Sequence, residues 1–209
     1  TYYRAAYPAN PPGPLFGASP IAIEFGLNAN SLNSSCDATS LSLGASIEAI
    51  TPASSSDTIT VLLRSATSPY EIVDAASGVL SSSGSASLIF TKANLGSSYY
   101  IVVKHRSTIE TWSANPIAFT ANTSYDFTSG VSQAYGSNMV LISGEASVYS
   151  GDVNQDGIID ASDGSLVDND AFTGLSGYNP SDVNGDGYVD GSDALFVDNN
   201  AFGFVQKLT

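Results

Sequence analysis

The chain of 209 residues is long enough for one or two domains, and its 43% hydrophobic residues allow a sizeable buried core. Its formal net charge of −14 has the wrong sign for binding nucleic acid or anionic lipid surfaces, and should instead attract cations. Because of this charge we expect no nucleic-acid partner. No apolar run approaches the roughly 18 residues of a membrane span, so we also expect no membrane insertion.

The acidic residues are concentrated at one end of the chain. Residues 152–209 contain eleven Asp and one Lys, a net charge of −10, whereas residues 1–151 have a net charge of −4. The chain begins at Thr1 without a signal-like segment, which fits a processed exported protein and equally a trimmed chain. Cys36 is the only cysteine, so we interpret it as a small buried hydrophobe, with an intermolecular disulfide as the alternative.

Residues 1–20 are predicted to form a proline-rich N-terminal arm. Five of the nine prolines lie there, a density that excludes a helix or an interior strand. Residues 21–44 follow as an additional strand segment, in which Ile21, Ile23 and Phe25 share one face of an alternating stretch. This segment is a candidate donor strand, which would leave its own domain and add to the sheet edge of a neighbouring subunit.

Residues 45–150 are predicted to form a β-sandwich domain. Short stretches with a period of two recur between turns rich in Ser, Gly and Asn, a pattern typical of antiparallel sandwiches. The stretch YYIVVKHR at 99–106 places Tyr99, Ile101, Val103 and His105 on one face. The predicted fold class is mainly β, an Ig-like or transthyretin-like sandwich, with no amphipathic helix before residue 150.

The β region shows no pattern of catalytic residues. His105 is the only histidine, and we interpret it as a strand-surface or core-edge residue. Glycosidase chemistry needs two carboxylates in a cleft, and nothing pairs any two of the five Glu residues. Trp112 with Tyr99 or Tyr100 is a candidate platform for stacking a sugar. We therefore predict that the protein is not an enzyme, and polysaccharide binding stays open as an alternative.

Residues 151–209 contain a twelve-residue motif that occurs twice. DVNQDGIIDASD begins at Asp152, and DVNGDGYVDGSD begins at Asp182. In calcium loops with this spacing, positions 1, 3 and 5 give side-chain oxygens, position 7 gives a carbonyl, position 9 often acts through water and position 12 closes the shell. The predicted ligands are Asp152, Asn154, Asp156, Ile158, Asp160, Asp163, Asp182, Asn184, Asp186, Tyr188, Asp190 and Asp193, and the glycines of the sharp turns are Gly157 and Gly187.

The predicted cofactor is calcium, with one ion in each loop and two ions in all. Every ligand is a hard oxygen and no His or Cys is nearby, which favours calcium over transition metals. Magnesium loses its water reluctantly and rarely fills a cage made only of protein. The alternative is a solvated acidic turn. Without calcium the clustered acids repel one another, so we expect the tail to be loose or unfolded.

The two copies of this motif, over residues 151–202, resemble the duplicated loop–helix repeats of type I dockerin modules. Position 12 is Asp rather than Glu, and the strand-like GEASVYSG at 144–151 stands where an EF-hand would have its entering helix. The resemblance implies a small C-terminal helical module, with helices at roughly 161–171 and 191–201. It implies a shared core of Ile159, Leu166, Val167, Val189, Phe196 and Val197.

The resemblance also implies a cohesin-like partner. Dockerins of cellulosomes bind cohesin through Ser or Thr at loop positions 10 and 11 and through basic residues further along the helix. This chain has Ala161–Ser162 and Gly191–Ser192, followed by VDNDAF and VDNNAF without Lys or Arg. The preceding sequence resembles a β-sandwich found before such repeats in surface and secreted proteins of environmental bacteria, where these modules are structural or adhesive.

Three interpretations follow from the sequence. The first is an extracellular or cell-surface structural subunit that assembles with other copies of itself, for example into a filament, through Ile21, Ile23 and Phe25. The second is a dockerin-type adaptor that binds a cohesin-like protein. The third is a carbohydrate-binding or adhesion module that binds a polysaccharide.

Overall fold

The structure is a computed structural model, and it describes residues 39–50 and 57–209. The proline-rich arm, the candidate donor strand with Ile21, Ile23 and Phe25, and Cys36 lie outside the described residues, so their predicted roles stay predictions. In the described part of the chain, no helix combines the length and the apolar character needed to cross a membrane.

The described residues form ten strands and two α-helices. The strands are β1 (Thr39–Gly44), β2 (Asp57–Ser65), β3 (Ile72–Leu80), β4 (Ser85–Phe90), β5 (Ser98–Lys104), β6 (Thr111–Trp112), β7 (Ile117–Ala118), β8 (Asn122–Asp126), β9 (Val140–Ile142) and β10 (Glu145–Ser147). The helices are α1 (Ala161–Thr173) and α2 (Gly191–Phe202), and they confirm the helices implied by the resemblance. Two short 3-10 segments, Val131–Gln133 and Tyr135–Ser137, precede β9.

The strands form two sheets and a hairpin. One sheet has the order β4-β1-β8, and the other has the order β3-β2-β5-β6, with β7 also paired to β5. The pairs are antiparallel, apart from the parallel pair of β1 and β8. Side chains of both sheets belong to one buried cluster. The predicted mainly β fold with a small helical module at the C-terminus is therefore confirmed.

The alternation in the sequence is also the alternation of burial. In β2, Ile59, Val61 and Leu63 are fully buried, while Thr60 and Leu62 between them are partly exposed. In β5, the predicted inner face is buried up to His105. Val102 on the other face is buried as well, and it lies opposite Trp112 of β6. Burial of these side chains stabilises the sandwich.

The first described strand begins before the expected start of the sandwich at residue 45. β1 is the central strand of its sheet, because it pairs with β4 on one side and β8 on the other. Residues 39–44 therefore belong to the sandwich and not to a separate segment. The alternating stretch at 41–50 runs across the expected boundary, since a period of two shows which residues share a face but not which strand they pair with.

The helical module shares its core with the sandwich. The buried residues Ile159, Val167, Val189 and Val197 lie in the same hydrophobic cluster as the sandwich core. Leu166, which was expected in that core, is 40% exposed, and Phe196 is only partly buried. Adjacent helical positions point about 100° apart, so a helix that buries position 167 turns position 166 outward.

Candidate metal centre

Each predicted calcium loop ends in the first turn of a helix. Asp160 caps α1 by accepting from the Ser162 backbone N–H, and the Asp163 side chain accepts in return from the Asp160 backbone N–H. Asp190 and Asp193 form the same reciprocal pair at α2. A capping box of this kind satisfies backbone donors that a helix start leaves free. Loop positions 9 and 12 are thereby fixed by the chain itself.

The acid at position 12 also holds the start of each loop. Oδ1 of Asp163 accepts from the backbone N–H groups of Val153 at 2.8 Å and Asn154 at 3.0 Å. Oδ1 of Asp193 accepts from the backbone N–H of Asn184 at 3.0 Å. Both acids are fully buried. A buried carboxylate at the last position therefore holds the backbone at loop positions 2 and 3 in the first loop and position 3 in the second.

The acid at position 1 carries an unpaired buried oxygen in both loops. Asp152 and Asp182 are each 2% exposed. Their Oδ2 atoms accept from the backbone N–H groups of the loop glycines, Gly157 at 3.1 Å and Gly187 at 3.3 Å. Their Oδ1 atoms are buried without a hydrogen-bond partner among the described residues. Such an atom is costly to bury, and its recurrence at the same position fits a cation ligand.

The electrostatics of the two loops differ. Burial, together with the nearby Asp163 and Asp156 carboxylates, raises the pKa of Asp152 to about 6. Burial also raises the pKa of Asp182, but there the Arg106 guanidinium opposes the rise. Like charges held close together disfavour the ionised form, so each loop would be stabilised by a cation.

Loop positions 3, 5 and 7 are linked by short hydrogen bonds. Oδ1 of Asn154 accepts from the Asp156 N–H at 2.8 Å, and Oδ1 of Asp156 accepts from the Ile158 N–H at 2.9 Å. The second loop repeats these bonds at 2.8 Å and 2.9 Å with Asn184, Asp186 and Tyr188. The side chains at position 7 are exposed, which fits a contribution through the backbone carbonyl.

The residues present fit a hard cation such as calcium. All predicted side-chain ligands of the cation are carboxylate or amide oxygens. Among residues 39–50 and 57–209, no three His, Cys, Asp or Glu side chains form a metal site by themselves. A cation would therefore also need the Asn oxygen and a backbone carbonyl, as the calcium-loop pattern specifies. The assignment of the twelve ligands stays a prediction.

Arg106 joins the second loop to the sandwich, a role that the sequence analysis missed. Its guanidinium donates to the backbone carbonyls of Asn179 and Asp182. It lies 3.3 Å from Oδ2 of Asp57 and 3.9 Å from Oδ2 of Asp182. It also covers the Tyr178 ring at 4.7 Å. The one hint of this role in the sequence is that Arg106, one of only six Lys and Arg residues, directly follows the single histidine, His105.

Asp57 also holds the only histidine. Nε2 of His105 lies 2.9 Å from Oδ2 of Asp57, and both residues are buried. Burial opposes the charge of Asp57, but hydrogen bonds from His105 and Tyr178 hold its pKa well below the usual range. Burial lowers the pKa of His105. Ser107 Oγ lies 3.4 Å from His105 Nδ1, yet all three residues are buried, so no substrate can reach this trio.

Gln155 joins the first loop to the same part of the sandwich. Its Nε2 donates to the carbonyls of Asp152 at 2.6 Å, Thr108 at 3.1 Å and Arg106 at 3.4 Å. Gln155 has φ 61, and its repeat equivalent Gly185 has φ 71. A Cβ at Gly185 would lie 3.3 Å from Ile50 and 3.7 Å from Arg106. The first loop therefore reaches the sandwich with its own side chain, whereas glycine leaves room for the sandwich in the second.

Trp112 does not offer the face that a sugar-stacking platform needs. It is 5% exposed. Its ring packs edge-on against Tyr70 and Tyr100, with centroids 5.9 Å and 5.4 Å away, and the Arg64 guanidinium lies 5.1 Å from its centroid. Of the two candidate tyrosines, Tyr99 is buried as well, and Tyr100 is partly exposed but packs edge-on against the Trp112 ring. The sequence suggested a platform because spacing alone does not separate exposed aromatic residues from packed ones.

Comparison with known proteins agrees with the loops and helices. The family model of the dockerin type I domain matches residues 150–201. One similar solved structure is an N-terminal interface mutant of a type II cohesin–X–dockerin complex from Acetivibrio cellulolyticus. It is 18% identical, covers 78% of this chain and 94% of that chain, and has a TM-score of 0.45. No curated protein sequence matches the chain.

The C-terminal residues thus form a tandem loop–helix module. More specifically, residues 150–201 are a dockerin type I domain that follows a β module in the same chain. The resemblance inferred from the sequence is confirmed.

Proposed function

We propose that this chain is a non-enzymatic extracellular adaptor, in which a dockerin module held together by calcium docks on a cohesin-like partner. The observation that supports this most directly is the dockerin type I match at residues 150–201. Modules of this family typically belong to secreted or cell-surface assemblies. The sandwich would act as a rigid support, because its core is continuous with that of the docking module.

Calcium would bind to both loops and supply the positive charge that these loops need. Asp152 and Asp182 would present their unpaired Oδ1 atoms to the ions. The remaining ligands would be those at positions 3, 5, 7, 9 and 12 of each loop, as predicted from the spacing. Because binding would neutralise clustered acids, part of its free energy would become free energy of folding.

The docking surface would include two exposed phenylalanines at equivalent positions of the repeat. Phe172 and Phe202 lie at the ends of α1 and α2 and are 93% and 88% exposed. Aromatic side chains bury large areas and are common anchors of protein interfaces. Neither helix carries a Lys or Arg, so the contact in this chain would depend on apolar anchors rather than on basic residues.

Binding to a panel of type I and type II cohesins in calcium, measured by calorimetry, tests this proposal. The double variant F172A/F202A should weaken binding by about tenfold or more, as expected for the loss of interface anchors. The control is I89A, which shortens another exposed apolar side chain, on β4 of the sandwich. The proposal fails if no cohesin binds in calcium, or if I89A weakens binding as much as the double variant.

Self-assembly through the N-terminal segment is a second candidate. Strand β8 pairs with β1 on one side, and no described strand pairs with its other side. An unpaired strand edge presents backbone donors and acceptors that can accept an extended segment. Residues 21–25 of a neighbouring copy, with Ile21, Ile23 and Phe25 facing inward, would supply such a strand.

Light scattering on the whole chain in millimolar calcium, and again in chelator, distinguishes self-assembly from docking. A subunit that assembles should form large species in calcium, and deletion of residues 1–25 should reduce them to monomers. A monomer in both conditions would exclude the second candidate and leave the docking proposal unaffected.

A further inference from the structure

We infer that Arg106 is a built-in counterion of the second loop, so that this loop and α2 stay docked on the sandwich without calcium, while the first loop and α1 depend on calcium. This inference rests on the proposed calcium binding. It deepens that proposal, because it assigns different roles to two loops whose sequences are nearly the same.

The second loop receives a positive charge from the sandwich. The Arg106 side chain is 9% exposed and lies 3.9 Å from Oδ2 of Asp182. Its position is fixed by Asp57 at 3.3 Å and by the Asn179 and Asp182 carbonyls that accept its hydrogen bonds. A charge held in a buried site acts more strongly on its neighbours than one in water. The loop therefore has partial neutralisation from the chain itself.

The first loop receives no such charge among the described residues. Their five ion pairs include no acid of this loop. Lys207 donates its backbone N–H to the Gly157 carbonyl at 2.8 Å, and its side-chain carbons lie over that glycine, but its ammonium forms no ion pair. The link from this loop to the sandwich is the neutral amide of Gln155. Removal of calcium would leave the repulsion among its acids uncompensated.

The two helices are also anchored differently. Nδ2 of Asn200 on α2 donates to Glu48 at 2.6 Å and to the Ser150 carbonyl at 2.8 Å, both on the sandwich side of the junction. The equivalent residue of α1 is Asp170, which accepts instead from Ser181 in the link between the repeats. α2 is therefore hydrogen-bonded to the sandwich directly and independently of the second loop. This contact also helps to keep the second loop and α2 docked when calcium is absent.

Hydrogen exchange of the whole chain, followed by mass spectrometry in calcium and in chelator, tests the inference. Amides of 154–173 should exchange about tenfold faster or more in chelator, while those of 184–202 should change by less than about threefold. Equal loss of protection in both segments, or earlier loss in 184–202, would overturn the inference. Unchanged exchange in both segments would instead contradict the proposed calcium binding itself.

Variants separate the charge of Arg106 from its packing. R106Q should make 184–202 as dependent on calcium as 154–173, and calcium should restore its protection. R106K keeps the charge and should keep most of the protection in chelator. Q155G is the matched control, because glycine accepts this backbone conformation, and it should leave 184–202 protected in chelator. If R106Q stays protected in chelator, or if R106K loses as much protection as R106Q, Arg106 is not the counterion.

Discussion

Asn200 of α2 donates a hydrogen bond of 2.6 Å to the partly buried carboxylate of Glu48. The same amide reaches the Ser150 carbonyl at 2.8 Å, where the sandwich meets the helical module. Burial raises the pKa of Glu48, and the bond from Asn200 opposes that rise. The repeat has Asp170 at the equivalent position of α1. The change from VDND to VDNN therefore avoids a second acid beside Glu48.

The variant N200D should destabilise the protein strongly. It places a carboxylate against Glu48 and removes the donor, which should lower the free energy of unfolding by about 3 kcal/mol at pH 7. Part of this loss should be recovered at about pH 5, because protonation of either acid restores a donor. The measurement is urea unfolding at both pH values.

The control for N200D is the reverse change in the other repeat. D170N keeps an oxygen that can accept from Ser181 and meets no facing acid, so it should change the free energy of unfolding by less than about 1 kcal/mol. Equal effects of N200D and D170N would show that the contact with Glu48 is unimportant.

A second pair of variants tests the assignment of Trp112 to the core of the aromatic cluster. W112A should lower the free energy of unfolding by about 3–5 kcal/mol, because it leaves a cavity beneath Arg64 and Tyr100. F172A removes an aromatic ring that is 93% exposed and should change stability by less than about 0.5 kcal/mol. Denaturant unfolding in calcium measures both. A folded W112A protein of unchanged stability would reopen the possibility of a binding platform.

The stability of the calcium-free chain should depend on the ionisation of Asp152. Its pKa is about 6 in the folded chain against an ordinary value of 3.8, so the folded state holds this proton more tightly than the unfolded state. This contribution to stability is present below about pH 4 and is lost as pH rises through about pH 6, a change of about 3 kcal/mol. Unfolding in chelator across this range measures it.

The variant D152N isolates that contribution, because its side chain has no charge at any pH. Burial lowers the pKa of His105, which by itself gives the opposite trend in the same range, but this trend is common to both proteins. The difference between wild type and D152N should therefore contain only the loss from Asp152. If the two proteins have parallel pH profiles in chelator, Asp152 does not titrate in the range inferred.

The loops and helices could be predicted from the sequence because their signals are local. Twelve consecutive residues specify a calcium loop, and the Asp at positions 9 and 12 is also a helix cap. The strands were predicted for a similar reason, since alternation such as that of 99–106 requires one buried face. Leu166 was misplaced because a pattern of apolar residues does not fix the rotation of a helix on its partner.

The contact between the sandwich and the second calcium loop could not be predicted, because it brings together residues far apart in sequence. Asp57, Arg106 and Asp182 meet only after β2, β5 and the second loop are packed together. The place of β1 was missed for the same reason, since its neighbours β4 and β8 are distant in the chain. One local signal was available, namely the difference between Gln155 and Gly185 at otherwise matching loop positions.

Calcium titration of the chelator-treated chain by calorimetry tests the central claim, that both loops hold calcium. Two calcium ions should bind to each wild-type chain. D152A and D182A should each leave one ion bound, and the double variant should bind none and lose the thermal stabilisation that calcium gives. Failure of the wild-type chain to bind calcium, or two ions still bound by the double variant, would show that these loops do not hold calcium as assigned.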